Sequence, residues 1–178
     1  VHDTLENIMN NNATPNDLLP AFNAELNDVE MLDLSFPKDF KGNDSIRDNY
    51  VSNITHFCNN FIKPQGKYET EKLVILKISD TRYVIGYIDL IKQNDDNTET
   101  IIDWKTSSNF SSEDLLHHGR QLVAYAMAEE QEGKVIKKVF WYMLKYVEVK
   151  FKGKARVNSK NETEICKVFE RRKWVYEI

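Results

Sequence analysis

Two carboxylates and one ammonium lie in two nearby segments whose residue patterns predict neighbouring strands. Asp89 follows Gly86 by three positions, and Asp103 and Lys105 belong to the next apolar segment. Residues 93–98 are rich in Asn and Asp and predict a turn, so a hairpin would bring the three charged side chains together. Because side chains alternate along a strand, Asp103 and Lys105 share one face. Such a cluster is costly to assemble unless a metal ion or a substrate uses it, which indicates metal-assisted phosphodiester hydrolysis.

The composition of the chain is that of a soluble globular protein. Its 178 residues are 41% hydrophobic and 29% charged, which predicts a single domain with its own core. No apolar run approaches the roughly 20 residues of a membrane-spanning helix, and nothing resembles a signal peptide. We therefore expect a cytoplasmic protein without membrane contact. Because the chain begins with Val1 rather than Met, a fragment of a longer protein is one of the expectations.

The net charge of −4 argues against a protein that coats nucleic acid without sequence preference. One stretch is nevertheless locally basic, with Lys134, Lys138, Lys145, Lys150, Lys152, Lys154 and Arg156. This basic stretch is the best candidate for phosphate contact. A lysine-rich strand edge that prevents aggregation explains it equally well.

Hydrophobic periodicity predicts helices, then a three-stranded meander, a further helix and more strands. The predicted helices are 2–9, 16–26, 45–62 and 111–131, and the predicted strands are 68–78, 83–91, 98–105, 137–151 and 167–178. This order predicts an α/β fold with a mixed central β-sheet flanked by helices.

Three motifs follow one another as Gly86-x-x-Asp89, Asp103-x-Lys105 and Gln121-x-x-x-Tyr125. In this order, they resemble the PD-(D/E)XK nuclease superfamily, and within it the RecB-like exonucleases. That pattern places the motifs on the second core strand, the third core strand and the following helix, which are the elements predicted here. The family also carries a His on an early helix, which His2 matches. The resemblance implies a restriction-endonuclease-like core.

The resemblance also implies a metal site and a catalytic lysine. Asp89 and Asp103 would be metal ligands, with the backbone carbonyl oxygen of Trp104 as a third oxygen and His2 as an imidazole ligand. Oxygen ligands suit Mg²⁺ or Mn²⁺, and the imidazole shifts the preference towards Mn²⁺. Lys105 would position or help to deprotonate the attacking water and would stabilise charge on the phosphate.

Relatives of this kind usually carry a glutamate on the first strand. Glu71 is the first choice and Glu69 the second, and because both point to one face, the sequence leaves them open. Gln121 and Tyr125 lie one helical turn apart and resemble a pair that borders the active site and contacts the nucleic acid. Helix packing is the alternative explanation of that pair, and exposure at a helix end is the alternative explanation of His2.

His117 and His118 point about 100° apart on a helix, so they do not form one site. Some RecB-like nucleases hold an iron–sulfur cluster with four cysteines, and this chain has only Cys58 and Cys166, so no cluster is expected. No Walker A motif is present. This stretch of chain therefore contains no helicase motor, and the expected partners include a helicase or recombination protein, which could be attached upstream if Val1 marks a trimmed boundary.

The resulting hypothesis is a metal-dependent exonuclease that acts on single-stranded DNA or duplex ends in DNA repair or recombination. An RNA endonuclease of the cap-snatching type is a rival on the same fold, although the Gln-x-x-x-Tyr helix argues against it. A non-catalytic nucleic-acid-binding module is the second rival, and the complete set of Asp89, Asp103 and Lys105 argues against that one.

Overall fold

The computed structural model describes the backbone of residues 1–106, 112–149, 156–157, 163–164 and 169–177, and the side chains of residues 1–106, 113 and 115–144. Cys166 and the side chains of the basic stretch from Lys145 onwards lie outside this description. Among the described residues, no helix combines the length and the apolar character needed to cross a membrane.

Three helices precede the sheet: α1 (His2–Met9), α2 (Leu18–Met31) and α3 (Ser45–Asn60), with a 3₁₀ turn at Pro15–Asp17. Helix α1 buries Leu5, Ile8 and Met9, which recur at helical spacing. Helix α2 continues to Met31, beyond the predicted end at residue 26. Pro20 does not shorten α2 because it lies in the first turn, where backbone N–H groups have no partner within the helix.

The strands are β1 (Lys67–Ser79), β2 (Arg82–Gln93), β3 (Glu99–Lys105), β4 (Ile136–Val149), β5 (Arg156–Val157), β6 (Thr163–Glu164) and β7 (Phe169–Glu177). Within the described backbone, five of them form one sheet in the order β1-β2-β3-β4-β7, and β5 pairs with β6. Strands β3 and β4 are parallel, whereas the other pairs in the large sheet are antiparallel. The predicted mixed sheet flanked by helices is confirmed.

A parallel pair needs a crossover connection, and α4 (Ser112–Gln131) supplies it between β3 and β4. Helix α4 packs on one side of the sheet, here called the α4 face, over a core that includes Val74, Leu76, Ile88, Ile101, Leu122 and Trp141. Helices α1, α2 and α3 cover the other side, called the α1–α3 face, over a core that includes Leu5, Ile54, Phe57, Leu90, Ile102 and Trp104. The adjacent residues Ile101 and Ile102 therefore belong to opposite cores, as strand alternation requires.

Candidate active site

Strands β2 and β3 separate at the position of the predicted site residues. Their ladder runs from the Gln93–Glu99 pair to the Leu90–Ile102 pair. Next to that last pair, the backbone N–H of Trp104 donates a hydrogen bond to Oδ2 of Asp89 at 2.7 Å. A side chain thus takes the role that a backbone carbonyl has elsewhere in the ladder, so the strands can part without leaving this N–H unpaired. Asp89 is held in the fork between β2 and β3.

Asp103 lies on the next strand and is only 1% exposed. Lys105 Nζ is 2.7 Å from Asp103 Oδ2. The contact is a short ion pair, in which the Lys105 ammonium is the partner that favours the charged form of this buried carboxylate. Burial raises the pKa of Asp103, Lys105 lowers it, and the nearby charge of Asp89 raises it again. The site therefore holds a carboxylate that is costly to keep charged.

The side chains of strand β1 change from one face of the sheet to the other at Glu71. Thr70 contacts the end of α1, where Asn10 Nδ2 donates to Thr70 Oγ1 at 2.9 Å. Lys72 contacts α4 instead, because its Nζ donates to Glu129 Oε2 at 2.7 Å. Residues two apart in a regular strand share a face, so the strand changes face between Thr70 and Lys72. Glu71 makes this change with a left-handed backbone, at a φ of 47°, which is uncommon for a residue other than glycine.

The side chains of strand β2 change face at Asp89, the position opposite Glu71. Ile88 belongs to the core of the α4 face, whereas Leu90 belongs to the core of the α1–α3 face. The register on both sides of this point is the same, with Thr70 opposite Leu90 and Lys72 opposite Ile88. Asp89 and Glu71 therefore lie opposite each other at the place where both strands change face, and the ladder omits their pair.

The two candidate glutamates on β1 differ in their surroundings. Burial raises the pKa of Glu71, and so do the negative charges of Asp89, Glu6 and Asp3. Glu69 is opposite Ile91, two positions further along the ladder. The structure therefore brings Glu71, rather than Glu69, into the electrostatic environment of Asp89.

Helix α4 contributes Gln121 and Tyr125. Gln121 Nε2 donates to Tyr125 Oη at 2.7 Å. Burial raises the pKa of Tyr125, and the hydrogen bond with Gln121 lowers it. The negative charges of Asp103, Asp89 and Glu71 raise the pKa further. The Tyr125 hydroxyl is thus within electrostatic reach of all three carboxylates.

Gly86 permits this position of Tyr125. A Cβ atom at residue 86 would lie 2.8 Å from Cε1 of the Tyr125 ring, which is closer than real Cβ contacts. The glycine of the Gly-x-x-Asp motif is therefore explained by a close approach between β2 and α4.

His2 is the first residue of α1 and is exposed. Its charge lowers the pKa of Asp103, so the imidazole is within electrostatic range of that carboxylate. No three His, Cys, Asp or Glu side chains in the described part of the chain form a ready metal cluster. The donor chemistry nevertheless fits a divalent cation that prefers oxygen, because the carboxylates of Asp103 and Asp89 lie on adjacent strands within electrostatic range of each other.

The remaining candidates have structural partners. The Trp104 ring packs in the α1–α3 core against Phe61 and Tyr142, with edge contacts at centroid distances of 6.4 and 4.5 Å. Within the described part of the basic stretch and its neighbours, Lys134 pairs with Glu99 and Lys137 pairs with Asp96. These two lysines are engaged in ion pairs at the far end of the β2–β3 hairpin.

Sequence reasoning missed the ion pair between Lys72 and Glu129, which joins β1 to α4 beside the site. A signal was present, because Gln121, Tyr125 and Glu129 are each four residues apart and so share one stripe of α4.

The comparisons with known proteins identify a family. The model of the PD-(D/E)XK nuclease superfamily matches residues 1–175. No curated protein and no solved structure matches the chain.

Proposed function

Because the chain belongs to the PD-(D/E)XK nuclease superfamily, we propose that it is a metal-dependent deoxyribonuclease that hydrolyses phosphodiester bonds from DNA ends. Nucleases of this superfamily generally use divalent metal ions. The observation that carries the proposal is the buried carboxylate of Asp103. It is only 1% exposed, it lies 2.7 Å from the Lys105 ammonium, and the negative charge of Asp89 is close by.

Asp89 and Asp103 would hold the divalent ion, with the carbonyl oxygen of Trp104 and the imidazole of His2 as further ligands. Mg²⁺ or Mn²⁺ fits these donors. When bound, the ion would acidify a water molecule and neutralise charge on the phosphate. The side chains around it have their own roles. Lys105, which is partly exposed, would orient the attacking water and stabilise negative charge on the phosphate oxygens.

Glu71 would complete the carboxylate set from the opposite strand. Its position opposite Asp89 and the rise in its pKa support this role. Gln121 and Tyr125 would contact the nucleic acid at the border of the site, which their mutual hydrogen bond and their nearness to the carboxylates support. The preference for DNA, the exonuclease action and the RecB-like branch rest on the motif order from Gly86 to Tyr125.

We also infer that residues 1–178 form one nuclease domain. Two observations support this inference. The superfamily match runs through residues 1–175, and one sheet joins strands that extend from Lys67 in β1 to Glu177 in β7.

Cleavage assays on purified protein test the proposal. We expect labelled linear DNA to be degraded with Mn²⁺ or Mg²⁺, and we expect EDTA to stop the reaction. Asp103→Asn and Lys105→Met should each lower the rate about 100-fold or more, because the first removes a charge that would hold the metal ion and the second removes a charge that would act on the phosphate. Lys77→Met is the matched control, since Lys77 forms an exposed ion pair with Asp80. Wild-type rates in both site variants, or full activity in EDTA, would overturn the proposal.

Substrate comparisons test the finer parts. Rates on single-stranded DNA, duplex DNA and single-stranded RNA separate a deoxyribonuclease from an RNA endonuclease. Linear and covalently closed circular DNA separate exonuclease from endonuclease action. Faster cleavage of RNA than of either DNA would replace the DNA assignment, and rapid cleavage of the circle would replace the exonuclease assignment.

A further inference from the structure

A buried ion pair joins β1 to α4 beside the candidate site. The side chain of Lys72 is 15% exposed and that of Glu129 is fully buried, and their N–O distance is 2.7 Å. Lys72 also reaches Glu132 at 3.3 Å. Oε1 of Glu129 has no hydrogen-bond donor among the described residues. A buried pair of this kind contributes little net stability, because removing both charges from water costs about as much as their attraction returns.

The position of the pair is more informative than its energy. Lys72 directly follows Glu71, the residue at which β1 changes face. Thr70, on the other side of Glu71, is hydrogen-bonded to Asn10 at the end of α1. Polar contacts on opposite faces of the sheet therefore flank the left-handed residue immediately before and immediately after it.

Two further residues of β1 lie on the α4 face, Val74 and Leu76, and both are buried in its core. Their packing fixes which side chains of β1 point to the α4 face from residue 74 onwards. This packing alone would allow the change of face to occur at residue 71 or at residue 73. On β1 itself the contact between Lys72 and Glu129 removes this freedom, and on β2 the buried Ile88 opposite Lys72 acts in the same direction. Because Lys72 must already be on the α4 face, the change of face has to occur at Glu71, opposite Asp89.

We propose that Lys72 and Glu129 are positioning residues, which hold Glu71 in its left-handed conformation opposite Asp89. This proposal rests on the proposed function for its activity measurement only. Glu129 also lies one helical turn after Tyr125, so the same contact fixes the height of α4 above Gly86. Neither Lys72 nor Glu129 needs to touch the substrate for this role.

The decisive variant replaces both charges at once, as Lys72→Met with Glu129→Leu. Apolar side chains of similar volume usually preserve the stability that a buried ion pair gives. A positioning role therefore predicts a loss of activity without a loss of stability in this variant. We expect urea denaturation to give a midpoint close to that of the wild type. We expect kcat for DNA cleavage to fall about 10- to 100-fold, as for other residues that orient catalytic groups, with KM changed less than about threefold.

A crystal structure of the same variant supplies a measurement that is independent of activity. We expect residue 71 to leave the left-handed region and its carboxylate to move away from Asp89. Lys72→Arg keeps the cation and should restore kcat to within about threefold of the wild type, whereas Lys72→Met alone should not. Lys77→Met, on the exposed side of the same strand, controls for the loss of a lysine.

Glu129→Asp keeps the charge but shortens its reach, and it serves if the double variant does not fold. It should show the same loss of kcat and the same shift of residue 71 to a smaller extent. A wild-type kcat together with an unchanged φ at Glu71, in whichever of these variants folds, would overturn the positioning role. If the wild-type protein cleaves no nucleic acid, the proposed function fails, and the conformation of Glu71 in the variant structure still decides this proposal.

Discussion

The carboxylate of Asp89 accepts a hydrogen bond from the backbone N–H of Trp104 at 2.7 Å, at the place where β2 and β3 separate. One side chain thereby has two tasks. It completes the backbone hydrogen bonding of the central strand, and it stands next to the buried carboxylate of Asp103 on that strand. These tasks can be separated by substitution, because a neutral amide can perform the first, whereas the proposed role of Asp89 in holding a metal ion would require the charge.

Asp89→Asn and Asp89→Ala should therefore differ in stability and agree in activity. The Asn side chain keeps an oxygen that can accept the Trp104 hydrogen bond, whereas Ala leaves that N–H without an acceptor, at a cost of about 1–3 kcal/mol. Both variants should lose metal-dependent cleavage. Urea denaturation in EDTA measures the first effect, and the DNA cleavage assay measures the second. Equal unfolding free energies for the two variants would contradict the structural task.

Gly86→Ala should disturb the site through Tyr125. The added methyl group would lie 2.8 Å from the ring, so either α4 or the ring must move. Overpacking of this kind costs about 1–3 kcal/mol. We expect the unfolding free energy and kcat to fall together.

A double-mutant cycle checks the mechanism of that effect. In a Tyr125→Ala background the space is vacated, so Gly86→Ala should cost much less stability there than in the wild type. Additive losses would show that the methyl group acts through some other neighbour.

The sequence predicted the elements well where local pattern and tertiary structure agree. The helix over residues 2–9 and the strands that carry Asp89 and Asp103 have the expected places. Apolar periodicity and the polar turn at residues 93–98 reflect burial and backbone hydrogen bonding within short segments, and such signals are readable in one chain. The mixed sheet follows from the helix between β3 and β4, because a crossover makes the parallel pair possible.

The change of face at Glu71 could not be predicted in this way. Period-2 alternation assigns Glu69, Glu71 and Leu73 to one side of a regular strand, and no glycine marks the irregularity. The left-handed backbone at Glu71 depends on contacts with two different layers, through Thr70 on one side and Lys72 on the other. Such a conformation is a tertiary property, and only the assembled sheet and its helices reveal it.

Asp103→Asn should stabilise the protein at neutral pH while abolishing cleavage. Burial raises the folded-state pKa of Asp103 above its ordinary value of 3.8, so folding disfavours the charged form. This unfavourable contribution is absent below the ordinary pKa and is complete above the raised pKa, so stability falls as pH rises between the two. Asn resembles the uncharged form and avoids the cost.

Urea denaturation in EDTA at pH 7 and pH 4 measures the effect. The Asn variant should be more stable than the wild type at pH 7, and the difference should be smaller at pH 4, because a larger share of the wild-type carboxyl is then protonated. A variant that is less stable than the wild type at pH 7 would contradict the cost of this buried charge.

Glu71→Gln and Glu69→Gln form a matched pair that identifies the glutamate of the site. Both remove one negative charge from the same strand, and both are conservative in volume. Glu71 lies opposite Asp89, whose negative charge raises its pKa, whereas Glu69 lies opposite the buried, apolar Ile91.

We therefore expect Glu71→Gln to lower kcat about 100-fold and to weaken Mn²⁺ binding in calorimetry, since it removes a carboxylate that acts at the reacting centre. Glu69→Gln should leave both quantities within about threefold of the wild type. A larger loss in Glu69→Gln than in Glu71→Gln would mean that the strand presents residue 69 to the metal, and that the left-handed conformation of Glu71 serves another purpose.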